Sequence, residues 1–218
     1  MNAARAVLWD MDGTLIDSAE FHWISWRDTM AHEGIAITHE QFLASFGQRN
    51  DSIIPQWLGA ASTPERIERI ADAKEERYRD LVRENGISAL PGVASWVHRL
   101  HEQGWLQAVA SSAPRANIEV VLEALAATHN FQAIVSAEDV RCGKPDPEVY
   151  LTAASRVGVS PERCVVVEDA VAGIEGARRA GMHSIGVSHN GKHLAADVVV
   201  TSLDLLGAHA FETLLQGK

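Results

Sequence analysis

From residue 93 onward, short apolar runs alternate with helix-patterned stretches, and this alternation leaves few folds open. The pattern predicts helices over 93–103, 116–127, 147–157, 171–180 and 203–215. Between them it predicts strands over 106–110, 133–135, 164–167, 184–187 and 198–200. A further apolar run, residues 6–9, reads as a buried strand at the amino terminus. Runs such as Val165-Val166-Val167 show no polar alternation, so both sides of such a strand must be covered. The expected class is therefore α/β, a parallel sheet with helices on both faces.

Between the first strand and the rest, only helical signals occur. One helix is capped by Asp17 or Ser18 and runs to about Glu33; others cover 39–46, 50–58 and 64–84, the last with Pro64 suited to its first turn. The first strand is thus separated from its sheet by an insertion. We expect two domains: residues 1–16 with 89–218 form the sheet core, and residues 17–88 form a helical domain joined through 13–18 and 86–92, either able to act as a hinge.

The residues just past the first strand are chemically demanding. Asp10 and Asp12 stand two apart, and in an extended chain both would project to one side at the strand's carboxyl end. Like charges so placed need a cation or a shared proton, unless they are simply turn residues before Gly13. In open parallel sheets, ligands bind beyond the carboxyl ends of the strands. The sequence puts Ser111 and Ser112, Lys144 in Gly143-Lys144-Pro145-Asp146-Pro147, and Glu168 and Asp169 at those ends. Individually the serines and Asp169 read as helix caps and Lys144 as a loop lysine; together they gather two hydroxyls, one ammonium and four carboxylates on one rim. The carboxylate excess points to a hard divalent cation, and with no Cys or His cluster to favour zinc, magnesium is expected.

Composition narrows the partners. The chain has 218 residues, 46% hydrophobic, and a formal net charge of -10. That charge argues against nucleic acid and anionic membranes, while a local metal and one lysine leave small phosphorylated molecules possible. No apolar run approaches the roughly 20 residues a membrane span needs, and no signal segment opens the chain, so a cytoplasmic protein is expected. Cys142 and Cys164 fit no metal or redox spacing and read as packing residues. His98, His101, His189 and His193 read as surface residues.

Asp10-Met11-Asp12-Gly13-Thr14, Ser111, Lys144 in GKPDP, and Glu168-Asp169 in VVVEDAVAGIEGARRAGM resemble the four ordered motifs of the haloacid dehalogenase superfamily. The resemblance covers nearly the whole chain. It implies a Rossmann-like core with an inserted α-helical cap, and it implies roles. Asp10 would be the nucleophile that becomes an aspartyl phosphate and Asp12 the acid/base. Ser111, Ser112 and Lys144 would bind phosphate. Asp10, the backbone carbonyl of Asp12 and Asp169 would hold magnesium, with Glu168 supporting. Asp12 separates phosphoryl transferases from the dehalogenases, which lack it.

Within the superfamily the chain is most similar to the β-phosphoglucomutase-like group. His22 with Trp26, Arg49 in GQRNDS and Lys74 in KEERY resemble that group's substrate residues, although Trp26 also reads as helical-domain core and Lys74 as a solvated charge. After Ser111, Ala113 and Arg115 stand where the mutases carry a serine and an asparagine; Arg115 could hold a distal phosphate itself. The resemblance therefore implies a phosphatase for a small sugar phosphate, expected to be monomeric, with β-phosphoglucomutase as the alternative and a non-catalytic phosphometabolite-binding protein as the third reading.

Overall fold

The computed structural model describes residues 4–45, 48–189, 191 and 193–216, so Phe46, within the helix expected over 39–46, lies outside them. The chain divides into two compact units, Met1–Asp17 with Ile87–Lys218, and Ser18–Gly86.

The first unit is built on six parallel strands: β1 (Ala6–Trp9), β2 (Leu106–Ala110), β3 (Ala133–Val135), β4 (Cys164–Glu168), β5 (His183–Val187) and β6 (Val198–Val200), in the order β3-β2-β1-β4-β5-β6. Helices cover both faces: α5 (Val93–Glu102), α6 (Arg115–Ala124), α7 (Glu148–Val157), α8 (Val171–Arg179) and α9 (Ala210–Gln216). Alternation along the strands sorts the side chains. Ala6 and Leu8 of β1 join Ala108, Ala110 and Val166 against Tyr150, Ala153 and Ala177 of α7 and α8. Trp9 points the other way, where Trp9, Trp96 and Trp105 gather around Phe211 at centroid distances of 6.3, 5.1 and 5.9 Å. Gln107 is fully buried on β2, and its amide is satisfied: Oε1 accepts from the Trp9 indole at 3.0 Å, and Nε2 donates to the Val97 carbonyl at 2.9 Å.

Two sequence expectations need correction. The helix expected over 203–215 is a short 3₁₀ turn, Leu203–Leu205, followed after a break by α9. The Leu203 carbonyl accepts from the Trp96 indole at 2.8 Å and from the Leu206 amide at 3.1 Å, and with those bonds made the turn does not propagate. Gly92, at φ +85°, lets the chain pass so close to the backbone at Leu203 and Asp204 that a Cβ would overlap it. The helix expected over 116–127 stops at Ala124, because Ala126 takes a left-handed conformation (φ 51°) and the Ala127 amide turns back to the Leu122 carbonyl.

The second unit comprises α1 (Ala19–His32), α2 (His39–Ser45), α3 (Asn50–Leu58) and α4 (Pro64–Asn85). Thr63 caps α4, its side chain accepting from the Arg66 amide, with Pro64 in the first turn where its missing N–H costs nothing. Trp26, Met30, Phe42, Ile53, Ile54, Leu58 and Ile70 form the core of this unit. Among the described residues no helix is long and apolar enough to cross a membrane.

Candidate active site

The strand order reverses at β1: the chain runs outward through β2 and β3, then returns to add β4 on the other side of β1. The crevice beyond the carboxyl ends of β1 and β4 is where such sheets receive ligands. Asp10 leaves β1 there, its amide donating to the Val167 carbonyl at 3.0 Å, and Glu168 is the last residue of β4. Asp10, Glu168 and Asp169 each offer a carboxylate oxygen, and these atoms all lie within 4.8 Å of one another, a group able to hold a metal ion.

Lys144 closes the group. Its ammonium donates to Asp10 Oδ1 at 2.5 Å and to Glu168 Oε1 at 2.6 Å, and lies 5.3 Å above the ring centre of Tyr150. Tyr150, from α7, also donates its hydroxyl to Glu168 Oε1 at 3.1 Å, while the Ala170 amide donates to Glu168 Oε2 at 2.7 Å. Glu168 is thus held on both oxygens, which suits a supporting part. Tight packing enforces this: a Cβ at Gly173 would overlap the Glu168 carboxylate, and one at Gly13 (φ +81°) would overlap that of Asp169.

The electrostatics arise from burial. Desolvation raises the Asp10 carboxyl well above its ordinary 3.8, and Glu168 and Asp169 add to it, against the opposing pull of Lys144. Burial would lower Lys144, but Asp10 and Glu168 outweigh it and hold the ammonium well above its ordinary range. The phenol of Tyr150 is raised by burial and then by Glu168, so it stays a donor.

Asp12 lies in the loop after β1. Strand β1 ends at Trp9, and the next residues form a tight loop in which the Leu15 amide donates to the Met11 carbonyl at 2.9 Å. The Asp12 carboxylate is half-buried and is not part of the metal-capable group. Ser111 is buried one residue past β2, and its Oγ accepts from the Ala113 amide at 3.1 Å; Ser112 is exposed. Neither serine caps α6, which begins after Pro114, and Asp169 does not cap α8, whose cap is Ala170. Arg115 is not brought to the acidic group: its guanidinium pairs with Asp139 at 2.6 Å and donates to the Ile134 carbonyl.

Other residues of the site carry no clear mark in the sequence. Tyr150 gives no signal, lying in an ordinary helical stretch. His189, read as a surface residue, is exposed, yet its Nε2 lies 2.7 Å from the Gly13 carbonyl on the loop carrying Asp12. Cys142, read as a packing residue, is exposed instead, because the Arg141 and Cys142 amides bind the Glu148 carboxylate and anchor the loop by its backbone.

In the helical unit, Trp26 is core, packed edge-on against Trp57 at 4.9 Å. Lys74 is not solvated; it is 2% exposed. Its ammonium lies 2.9 Å from His22 Nδ1 and 2.9 Å from Glu75 Oε1, and Asn50 donates to the same Glu75 oxygen at 2.7 Å. His22 stacks on Tyr78 at 4.4 Å. Arg49 is exposed and pairs with Asp51. Nothing in the sequence marks Glu75 as a partner, since a charge run on a helix hides which member faces inward.

This cluster has a pH signature. Burial would raise the Glu75 carboxyl, but Lys74 and His22, with hydrogen bonds from Asn50 and Lys74, hold it below its ordinary 4.5. A depressed carboxyl contributes stability that is present above the ordinary pKa and is lost as pH falls through the folded one. We expect Glu75→Gln to destabilise the protein by about 3 kcal/mol at neutral pH, since it leaves the buried ammonium without its counter-charge. Denaturant titrations at descending pH should show the gap to wild type closing below 4.5; a gap independent of pH would count against the pair.

The sequence matches the haloacid dehalogenase-like hydrolase family over residues 7–187. The chain belongs to that family. Hexitol phosphatase B of Escherichia coli (strain K12) is 35% identical over 219 residues, covering 93% of this chain and 96% of that protein. Beta-phosphoglucomutase of Bacillus subtilis (strain 168) is 31% identical over 202 residues, covering 90% and 88%. The structure of CbbY from Rhodobacter sphaeroides in complex with xylulose-(1,5)bisphosphate superposes with a TM-score of 0.85 at 28% identity, covering 94% of this chain and 96% of that one. The chain is an enzyme of the β-phosphoglucomutase-like group of haloacid dehalogenase-like hydrolases.

Proposed function

We propose that the protein is a magnesium-dependent phosphatase that hydrolyses a small sugar phosphate through an aspartyl phosphate on Asp10. The observation that carries this reading is the Asp10, Lys144, Glu168 and Asp169 group at the strand-order reversal. Its donor set is all carboxylate oxygen, and three carboxylates face one ammonium, so the residues fit a hard divalent cation. Asp10 and Asp169 would hold it with the Asp12 backbone carbonyl, Glu168 supporting. A bound magnesium ion would offset the carboxylate excess and polarise a phosphate oxygen.

The protein's residues supply the rest. Asp10 attacks phosphorus as the bond to the sugar oxygen breaks, and Asp12 gives its proton to that oxygen. Water then attacks the phosphoaspartate while Asp12 takes the water's proton, releasing inorganic phosphate and restoring the Asp10 carboxylate. The partial exposure of Asp12 supports this part, since a proton carrier must communicate with solvent. Lys144 would neutralise phosphoryl oxygens, and Ser111, whose Oγ already accepts from Ala113, has its own proton to give. Cytoplasmic location and a monomeric state belong to the same proposal, in keeping with free Cys142 and Cys164.

Hydrolysis is favoured over isomerisation because a mutase must grip a second, distal phosphate. Of the cations offered for that, Lys74 is buried against Glu75, Arg115 is bonded to Asp139, and Arg49, though exposed, is paired with Asp51. A screen of sugar phosphates for released phosphate tests this, run beside a coupled assay converting β-glucose 1-phosphate to glucose 6-phosphate with a bisphosphate primer. Phosphate release without primer dependence is expected. Primer-dependent isomerisation with little release would make the enzyme a mutase.

A further inference from the structure

The carboxylate of Asp139 carries more bonds than its place explains. It sits in a 3₁₀ turn, Ala137–Asp139, directly after β3, and accepts from the Ser136 amide at 2.9 Å and hydroxyl at 2.8 Å, closing a capping box. Two arginines then converge on it. Arg115 donates to Oδ2 at 2.6 Å and to the Ile134 carbonyl at 3.2 Å; Arg156 donates to Oδ1 at 2.6 Å and to the same carbonyl at 2.5 Å. The bond from Arg156 foremost holds the Asp139 carboxyl well below the usual carboxylate range, so it remains charged at any working pH.

Connectivity gives these bonds a meaning. Arg115 opens α6, four residues after Ser111. Arg156 lies in the last turn of α7, the helix that comes after the Lys144 loop and carries Tyr150. A backbone bond from the Ala137 amide to the Ala113 carbonyl at 3.0 Å, and bonds from the Arg115 amide to Glu138 at 3.1–3.2 Å, tie the same turn to the Ser111 loop. Partly exposed ion pairs contribute little stability, but a forked guanidinium fixes geometry, as that of Arg156 does by giving Nη1 to the Ile134 carbonyl and Nη2 to Asp139.

We propose that Asp139, with Arg115 and Arg156, is a positioning cluster that sets the distance and angle between the Ser111 loop and the Lys144 loop, and so the alignment of the phosphoryl group on Asp10. The cluster touches no reacting atom. Its purpose rests on the phosphatase reading; its mechanical effect does not.

The test uses the full-length protein with Asp139→Asn and Arg156→Lys. As a matched control, Glu33→Gln breaks the corresponding hub in the helical unit, where Glu33 takes Arg66 at 3.1 Å and Arg69 at 2.6 Å. With whichever sugar phosphate the screen identifies, Asp139→Asn should lower kcat about tenfold to a hundredfold while KM moves less than about threefold, because misplacing the clamp acts mainly in the transition state. Arg156→Lys, which keeps the charge but not the two-nitrogen fork from Nη1 to the Ile134 carbonyl and Nη2 to Asp139, should fall between, and Glu33→Gln should leave kcat unchanged. Amide exchange over 111–115 and 139–146 should quicken in Asp139→Asn and not in the control.

Wild-type turnover with an unaltered kcat in Asp139→Asn overturns the proposal while leaving the phosphatase reading intact. An equal loss of kcat in Glu33→Gln also overturns it. A wild type that turns over no phosphomonoester sinks the phosphatase reading, and exchange then decides alone: unchanged protection over 139–146 in Asp139→Asn refutes the positioning role.

Discussion

Replacing Asp10 by Asn should abolish phosphate release, by on the order of 10⁴-fold or more, and leave the fold intact. The first half comes from chemistry, since an amide oxygen cannot form the phosphoaspartate. The second comes from burial. Asp10 is 7% exposed, and its ionised form is disfavoured by desolvation and by Glu168 and Asp169, so removing its charge removes an unfavourable term. Lys144 keeps Glu168 as its partner. The variant's melting temperature should therefore stay within a few degrees of wild type in the absence of metal. Steady-state assays and mass spectrometry check this together: wild type quenched in acid during turnover should carry one added phosphoryl group, and Asp10→Asn none. Residual turnover within tenfold of wild type would exclude Asp10 as nucleophile.

Lys144→Met should combine loss of activity with a loss of stability that metal repairs. Among the described residues Lys144 is the only ammonium bonded to Asp10 and Glu168, at 2.5 and 2.6 Å, and all three side chains are at least nine-tenths buried. Deleting one partner of a buried ion group leaves the others without compensation, which costs about 3–5 kcal/mol. Activity should fall on the order of 10² to 10³-fold, the range seen when one preorganised donor to a transition-state oxyanion is lost. Magnesium should raise the melting temperature of Lys144→Met more than that of wild type, because the ion would then replace the missing positive charge facing the carboxylates. Thermal melts with and without millimolar magnesium test this. An equal shift in both proteins would mean that the ion binds elsewhere.

The two variants separate the roles of the site's charges. On the proposed mechanism Asp10 would be a charge the fold tolerates for chemistry, whereas Lys144 would be one the fold requires. That asymmetry is not visible from Asp10-Met11-Asp12 or GKPDP alone, because neither motif says which carboxylates the lysine reaches.

Much is legible in the chain itself. Buried parallel strands must be continuously apolar and amphipathic helices must repeat, so the α/β class and the strands β2, β3 and β6 can be placed to the residue. Where the apolar runs stop puts Asp10, Ser111, Glu168 and Asp169 at strand ends, where such sheets carry ligands, and Lys144 falls in the loop that follows β3. Local signals also set the start of α4, through Thr63 and Pro64.

Tertiary structure decided the rest, for reasons local sequence does not contain. The break before α9 depends on an indole 107 positions away in sequence taking the Leu203 carbonyl. Burial of Lys74 depends on His22, 52 positions away, and on Tyr78 and Trp26 forming its walls. Whether Arg115 faces a ligand or Asp139 is settled by a turn after β3 that no spacing predicts. Propensity and periodicity are properties of neighbours along the chain and can be read from it; the partner of a charge is a property of neighbours in space, and only packing selects it.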